Sequence, residues 1–378
     1  MAELGPLSSA VRKSRHEMTV CNACRYCEAY CPVFQAMEER LSFSSGDVTY
    51  LASLCHNCGE CLYACQYAPP HEFDIDIPRT FSEVRIESYE AAAWPSFAAD
   101  AFRRPFLATL AVLALSALIL ELYVVWTRLS LTDATAGTKS GVQAADFYAV
   151  MPHDVMIGLF GAAAVLVLIA LRIGYRRFSA TIATGSARDN RVGRSTALRA
   201  ASDALTLRHL HTAGEDCTDA LDVRWPWRRW MHHCTFYGFA LCFASTSVAA
   251  MYHLVFGWFA PYAYSSLPVM LGAIGGIGLL VGPAGLFIVD RYRDPALKHR
   301  AQAALDGAFL AMLFFTSLTG LLLLVLRERA QMPLLLFVHL AFVLALFLTM
   351  PYGKFVHGIY RTAALAKFRR EESVSPPG

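Results

Sequence analysis

Six stretches of the chain are apolar almost without interruption, and they dominate its pattern. They cover residues 105–127, 151–174, 232–256, 267–289, 305–326 and 332–352. A helix needs about 20 apolar residues to cross a hydrocarbon layer ~30 Å thick, and each stretch is long enough. Residues 1–104 read differently. There VFQAMEERL and PRTFSEVRIESYEAAAWPSF repeat their apolar positions at helical rather than alternating spacing. The opening MAELGPLSSAVRKSRHEM has no apolar h-region, so no cleaved signal peptide is expected. The expected organisation is a head over 1–104, a six-helix transmembrane body over 105–361 with a polar loop at 175–231, and a C-terminal tail over 362–378. Within that tail, EESVSPPG reads as disordered.

Lys and Arg fall on one side of this pattern. Arg103 and Arg104 precede the first stretch, residues 172–231 hold 11, residues 290–304 hold four, and the segment after the last stretch holds five. The other three connections together hold only Arg128, Lys139, Arg327 and Arg329. By the positive-inside rule, both ends of a six-span bundle lie in the cytoplasm, and the expected location is the bacterial inner membrane. Stretch four, LGAIGGIGLLVGPAG, places Gly272/Gly276 and Gly278/Gly282 at the small-xxx-small spacing of close helix packing. No strand precedes these glycines and no dinucleotide fingerprint occurs elsewhere, so no flavin or NAD is expected on this chain.

Composition agrees with the pattern. The chain is 56% hydrophobic and 17% charged, against about 25% charged for soluble proteins; an ordinary cytosolic enzyme is excluded. Net charge is +3, but residues 1–104 carry 9 Lys/Arg against 14 Asp/Glu, which makes an acidic head on a basic, apolar body. No nucleic-acid partner is expected.

Eight of the eleven cysteines lie between positions 21 and 65. Cys21, Cys24, Cys27 and Cys31, then Cys55, Cys58, Cys61 and Cys65, both have the spacing C-x2-C-x2-C-x3-C. That run holds paired [4Fe–4S] clusters: three near cysteines wrap one cube and the fourth, pointing away, ligates the other. The spacing therefore assigns Cys21, Cys24, Cys27 and Cys65 to one cluster and Cys55, Cys58, Cys61 and Cys31 to the second. Zinc needs only four ligands per site and usually shows paired C-x2-C units, and disulfides are disfavoured in a cytoplasmic head. Gln66 stands where the first quartet has Pro32, which loosens the turn and removes no ligand. The expected fold class is all-α, a helical two-cluster ferredoxin-like domain followed by a six-span bundle. His56 and His71, beside the clusters, are expected to tune them by hydrogen bonding, whereas His16, His209, His211 and His299 are expected to be solvated. Cys234 and Cys242 read as small apolar packers.

Histidines inside a span are expensive and mark function. His232 and His233 open stretch three and His253 closes it; His339 lies early in stretch six and His357 just beyond it. His339 and His357 are 18 residues apart, five helical turns or about 27 Å along one face. His253 is about 60° off the face of His232 and about 160° off that of His233. Helices three and six run antiparallel in a six-span bundle, so His232 or His233 faces His357 near the cytoplasm and His253 faces His339 on the other side. Two bis-histidine b-type haems satisfy all four rings. His153 is an alternative ligand. Arg228, Arg229, Lys354 and Arg361 are placed to neutralise haem propionates.

The runs CNACRYCEAYCPVFQAM, CHNCGECLYACQYAPPHEF, WMHHCTFYGFALCFASTSVAAMYH, GGIGLLVGPAGL and MPYGKFVHGIYR together resemble the tricarballylate-utilisation protein B (CitB-like) family. The membrane half is also similar in arrangement to the dihaem gamma subunit of respiratory nitrate reductase. The family resemblance implies an iron–sulfur membrane protein that reoxidises the FAD of a cytoplasmic dehydrogenase, one that converts tricarballylate to cis-aconitate; the expected route runs from that flavin through the clusters and b-type haem to membrane quinone. The rival is a membrane anchor with clusters and no haem, tethering the flavoprotein.

Overall fold

In the computed structural model, the residues described are 8–134, 147–183, 193–210 and 227–374. Among them every regular element is a helix and none is a strand.

The head is built so that helix ends deliver cysteines. Helix α1 (Ser9–Cys24) is capped by Ser8, whose hydroxyl accepts from Val11 N. It stops where Arg25 takes a left-handed conformation (φ 57°) and donates to Cys21 O. Helix α2 (Pro32–Glu38) starts immediately after Cys31 because proline suits the first turn of a helix. A capping box of Ser44 and Asp47 opens α3 (Ser45–Leu54), which ends one residue before Cys55. Gly59, at φ 95°, turns the chain into the short α4 (Glu60–Tyr63) that carries Cys61. Asp76 caps α5 (Ile77–Ala92), and α6 (Ser96–Ala101) leads to the body. Met18, Tyr50, Leu51, Leu54 and Phe81 fill the head's core without solvent exposure.

The body contains α7 (Pro105–Ala134), α8 (Phe147–Val150), α9 (His153–Ala183), α10 (Arg194–Leu205), α11 (Trp227–Phe256), α12 (Leu267–Tyr292), α13 (Arg300–Val325), α14 (Met332–Thr349) and α15 (Val356–Val374). Six of them, α7, α9 and α11 to α14, are long and apolar enough to cross a membrane. Their outward faces bear large apolar side chains such as Leu168, 65% exposed, and Ile277, 58% exposed, a surface that only lipid covers favourably. This is a multi-pass membrane protein. The helices outrun the apolar stretches at the end nearest the head, where α9 continues to Ala183 and α11 begins at Trp227. Polar residues there bond to the head: Arg177 Nη1 donates to Ala93 O at 2.8 Å.

Helix α11 lies closest to α12, α13 packs on α12 and α14, and α14 reaches α7 and α9. The α11–α12 seam is tight: a Cβ on Gly275 would stand 2.8 Å from Cys242 N and from Gly238 O. Gly276 instead faces Leu321 of α13, so the glycines serve two seams. Cys242 packs in the first.

The C-terminal region departs from expectation. Instead of a tail, α15 runs to Val374 and packs on α3 and α10, with Ala364, Leu365 and Phe368 buried. Its Glu371 accepts from Arg40 (2.7 Å) and Tyr50 (3.0 Å) of the head. A core assembled from both ends of the chain outweighs the polar look of the segment. Part of the expected loop 175–231 is likewise helical, as the end of α9, as α10 and as the start of α11. His211 and Cys217 lie outside the described residues.

Candidate metal centres

The eight clustered cysteines form two groups. Cys21 lies within electrostatic reach of Cys24, Cys27 and Cys65, and Cys61 within reach of Cys58, Cys55 and Cys31 and, least of the four, Cys27. The fourth cysteine of each run thus sits with the other run. Backbone N–H groups point at the sulfurs: those of Tyr67 and Ala68 at Cys65, those of Val33 and Phe34 at Cys31, and that of Asn57 at Cys55 Sγ (3.3 Å). Burial, with neighbouring thiols adding to it, pushes Cys21 and Cys31 far up and Cys27 to about 11. Four thiolates this close are stable only beside cationic metal. No three His, Cys, Asp or Glu side chains among the described residues converge on a single ion. The thiols ring a space instead: Cys31, Cys55, Cys58 and Cys61 line one pocket. The residues fit two polynuclear clusters. Cys24 is exposed, so the first group opens to the surface.

The second group is held from the membrane body. Cys55 O accepts from Arg85 (3.2 Å) and Arg361 (3.4 Å). His56 O accepts from Arg228 (2.8 Å), and Asn57 O accepts from Arg293. Arg361 also donates to His56 Nε2. Burial, with Arg361 and Arg228 close by, holds His56 well below the usual imidazole range, so the ring is neutral and Nε2 accepts. His71 differs: its Nδ1 accepts from Phe73 N at 3.1 Å. His209 and His299, expected in solvent, are partly covered, beside Asp203 and Glu83 respectively.

Below this layer the rings of His232 and His357 stand 6.1 Å apart, inclined at 66°. Bonds of about 2 Å from two imidazole nitrogens to one metal give a centroid separation of ~6 Å. His357 Nδ1 donates to Lys354 O at 2.7 Å, the arrangement that fixes a metal-binding imidazole's tautomer and leaves Nε2 for the metal. His233 stacks on Tyr237 instead (5.6 Å, 18°). The ring pair therefore fits a haem iron. Of the cations expected near it, Lys354 is paired with Asp306 at 2.7 Å, Arg229 donates to Thr206 O, and Arg228 and Arg361 bond the Cys55–Asn57 segment.

At the end away from the head the expected pairing changes. The ring against His253 is that of His153, stacked at 3.2 Å, and Tyr148 Oη lies 3.5 Å from His253 Nδ1. His339 bonds Thr319 Oγ1 of α13 at 3.1 Å. The reason is helix order: α11 has α12 as its main neighbour, while α14 sits among α13, α7 and α9. Two rings in van der Waals contact leave no room for an iron between their faces.

Residues 14–91 match the family profile described as the Citrate utilization protein B Fer4-like domain, and residues 103–378 match the one described as Citrate utilization protein B. The chain belongs to the citrate utilization protein B family. It is 44% identical over 356 residues to the Citrate utilization protein B of Escherichia coli, covering 94% of this chain and 91% of the relative. No solved structure matches. The family's Fer4-like domain coincides with the helices that bring the eight cysteines together, an iron–sulfur electron-transfer module fused to membrane helices. Sequence spacing identifies the thiols in this family member. It does not reveal Arg85, Arg293, Tyr148 or Thr319, whose partners lie on other helices; only the intramembrane position of His153 offered a hint.

Proposed function

We propose that this protein carries electrons from a cytoplasmic FAD-dependent dehydrogenase to membrane quinone, within the use of a citrate-like tricarboxylate such as tricarballylate. Membership of the citrate utilization protein B family supports the substrate class, and the observation that carries the redox reading is the crossed grouping of eight thiols lying next to the His232–His357 pair. Cys21, Cys24, Cys27 and Cys65 hold one [4Fe–4S] cluster; Cys55, Cys58, Cys61 and Cys31 hold the other. His232 and His357 hold a b-type haem. A second haem would draw on His253 and would need His153 to leave its stack on that ring or His339 to leave Thr319. When bound, these groups supply one-electron redox chemistry. The chain's own residues set distance and environment: N–H groups aim at the sulfurs, Lys354 O orients His357, and a buried neutral His56 accepts from Arg361, which also bonds Cys55 O of the thiol loop. Overall, a reduced flavin releases two electrons and two protons, and a quinone takes up two electrons with two protons from the medium. The Lys/Arg distribution supports cytoplasmic termini and an inner-membrane location, with the acidic head as the docking surface.

Anaerobic purification followed by iron and haem analysis tests this. About eight cluster irons and about two haem irons per chain are expected, with a b-type band on dithionite reduction that disappears on adding a ubiquinone analogue. Iron–sulfur signals without any haem would leave only the anchor; a colourless preparation would overturn the proposal.

A further inference from the structure

The two thiol groups sit in opposite electrostatic settings. Around the second, three consecutive carbonyls, those of Cys55, His56 and Asn57, accept from four arginines. Arg85 is buried, and neither it nor Arg361 has a carboxylate partner among the described residues. Glu60 lies beside Cys58, and Asp294, which accepts from Tyr63 at 2.5 Å, lies near Arg293. Around the first group the sign reverses. Glu17 is completely buried within electrostatic reach of Cys21 and Cys65, and accepts from Asp76 N and Thr80 Oγ1, each at 3.0 Å. Asp76 and Lys13 lie near it, Lys13 standing 3.9 Å from Glu17 and pairing with Asp74 at 2.7 Å, and Arg79 lies near Asp76.

Reduction adds one negative charge to a centre already bearing four thiolates. Fixed cations in a poorly screened site favour the reduced form, and a buried carboxylate opposes it. Three of the four arginines, Arg228, Arg293 and Arg361, come from the membrane body, so the same bonds that favour reduction also tie this site to the helices carrying His232 and His357. Arg228 precedes His232 by one turn and Arg361 follows His357 by one turn.

We propose that the arginine-held carbonyls of Cys55–Asn57 make the Cys31/Cys55/Cys58/Cys61 site the higher-potential, membrane-side centre, and that Glu17 makes the Cys21/Cys24/Cys27/Cys65 site the lower-potential point of entry. This rests on the two-cluster reading above. Electrons then run downhill from the exposed group to the clamped one, one at a time, from a partner's reduced flavin toward the membrane. Arg361 and Glu17 act as positioning residues that set potential without binding iron.

The test is an EPR-monitored redox titration of the full chain in lipid nanodiscs at pH 8.5. Two separate midpoints are expected. Arg361→Gln lowers the higher one, with about a tenfold fall in its reduced-to-oxidised ratio at fixed potential, equal to about 59 mV for one electron, and leaves the lower one in place. Arg361→Lys restores most of the shift. Glu17→Gln raises the lower midpoint and leaves the higher. Arg293→Gln, at the edge of the clamp, repeats the Arg361→Gln direction should that variant fold poorly. Cluster signals whose midpoints ignore these changes, or move together in both variants, overturn the inference alone. Absence of any cluster signal overturns it together with the two-cluster reading.

Discussion

The two ends of the transmembrane bundle solve different problems. At the head end, charge is abundant and committed: Arg177, Arg228, Arg293 and Arg361 all bond main-chain carbonyls of the head, and one hydrophobic core runs from Met18 and Tyr50 to Phe178 and Leu365. At the opposite end, charge is sparse. Arg327 donates to Tyr262 O and lies over the Tyr264 ring at 3.8 Å, and aromatic residues such as Trp258 and Phe259 are 55% and 64% exposed, as in an interfacial belt. The His232–His357 pair thus sits in a rigid, preorganised layer, whereas His153, His253 and Tyr148 sit among side chains that lipid covers. Precision is concentrated where the head meets the membrane helices.

The sharpest way to break this contrast is His357→Ala. It should remove about half of the haem and slow quinone reduction more than ~100-fold, beyond the loss typical of outer-shell changes; His233→Ala should leave the spectrum intact. Pyridine haemochrome analysis and stopped-flow reoxidation check both. At the other end, His153→Ala and His339→Ala separate two arrangements: the variant that loses about half of the haem absorbance identifies the partner of His253, and the other should retain it.

The head end also carries a pH signature. Burial raises Glu17 to about 7, above its ordinary 4.5. A carboxyl that keeps its proton longer when folded makes stability fall as pH rises from 4.5 to 7, by up to about 3 kcal/mol. Melting followed by circular dichroism between pH 5.5 and 8 should show this decline, and Glu17→Gln should flatten it. Smaller still is the docking of α15. Glu371→Ala leaves Arg40 with Asp47 as its charged partner among the described residues and should lower stability by about 1–3 kcal/mol, while Val255→Ala, 69% exposed at the opposite end, should change it by less than about 0.5 kcal/mol. Comparable losses would erase the distinction between the ends.

What was legible in the sequence is what depends on local repetition. Twenty-residue apolar runs and a three-residue cysteine spacing announce themselves, and so the helical class, the six long apolar helices and the candidate thiols follow from short windows. The rest depends on distant partners. Arg361 reaches Cys55 across 306 positions and Arg293 reaches Asn57 across 236, so no window contains both members. The pairing of His253 with His339 requires helices three and six to be neighbours along their length; α11 instead packs on α12 through the glycine seam, which helical phase does not encode. The end of α15 looked unstructured because its polar residues find buried partners in the head.

That last feature has a bearing on biogenesis. Arg40 leaves the ribosome early, and Glu371 is synthesised 331 positions later. Until then Arg40 has Asp47 as its acid, and the second carboxylate, which also takes the Tyr50 hydroxyl, arrives only when α15 docks. The head therefore reaches its full set of bonds only after α15 has been made.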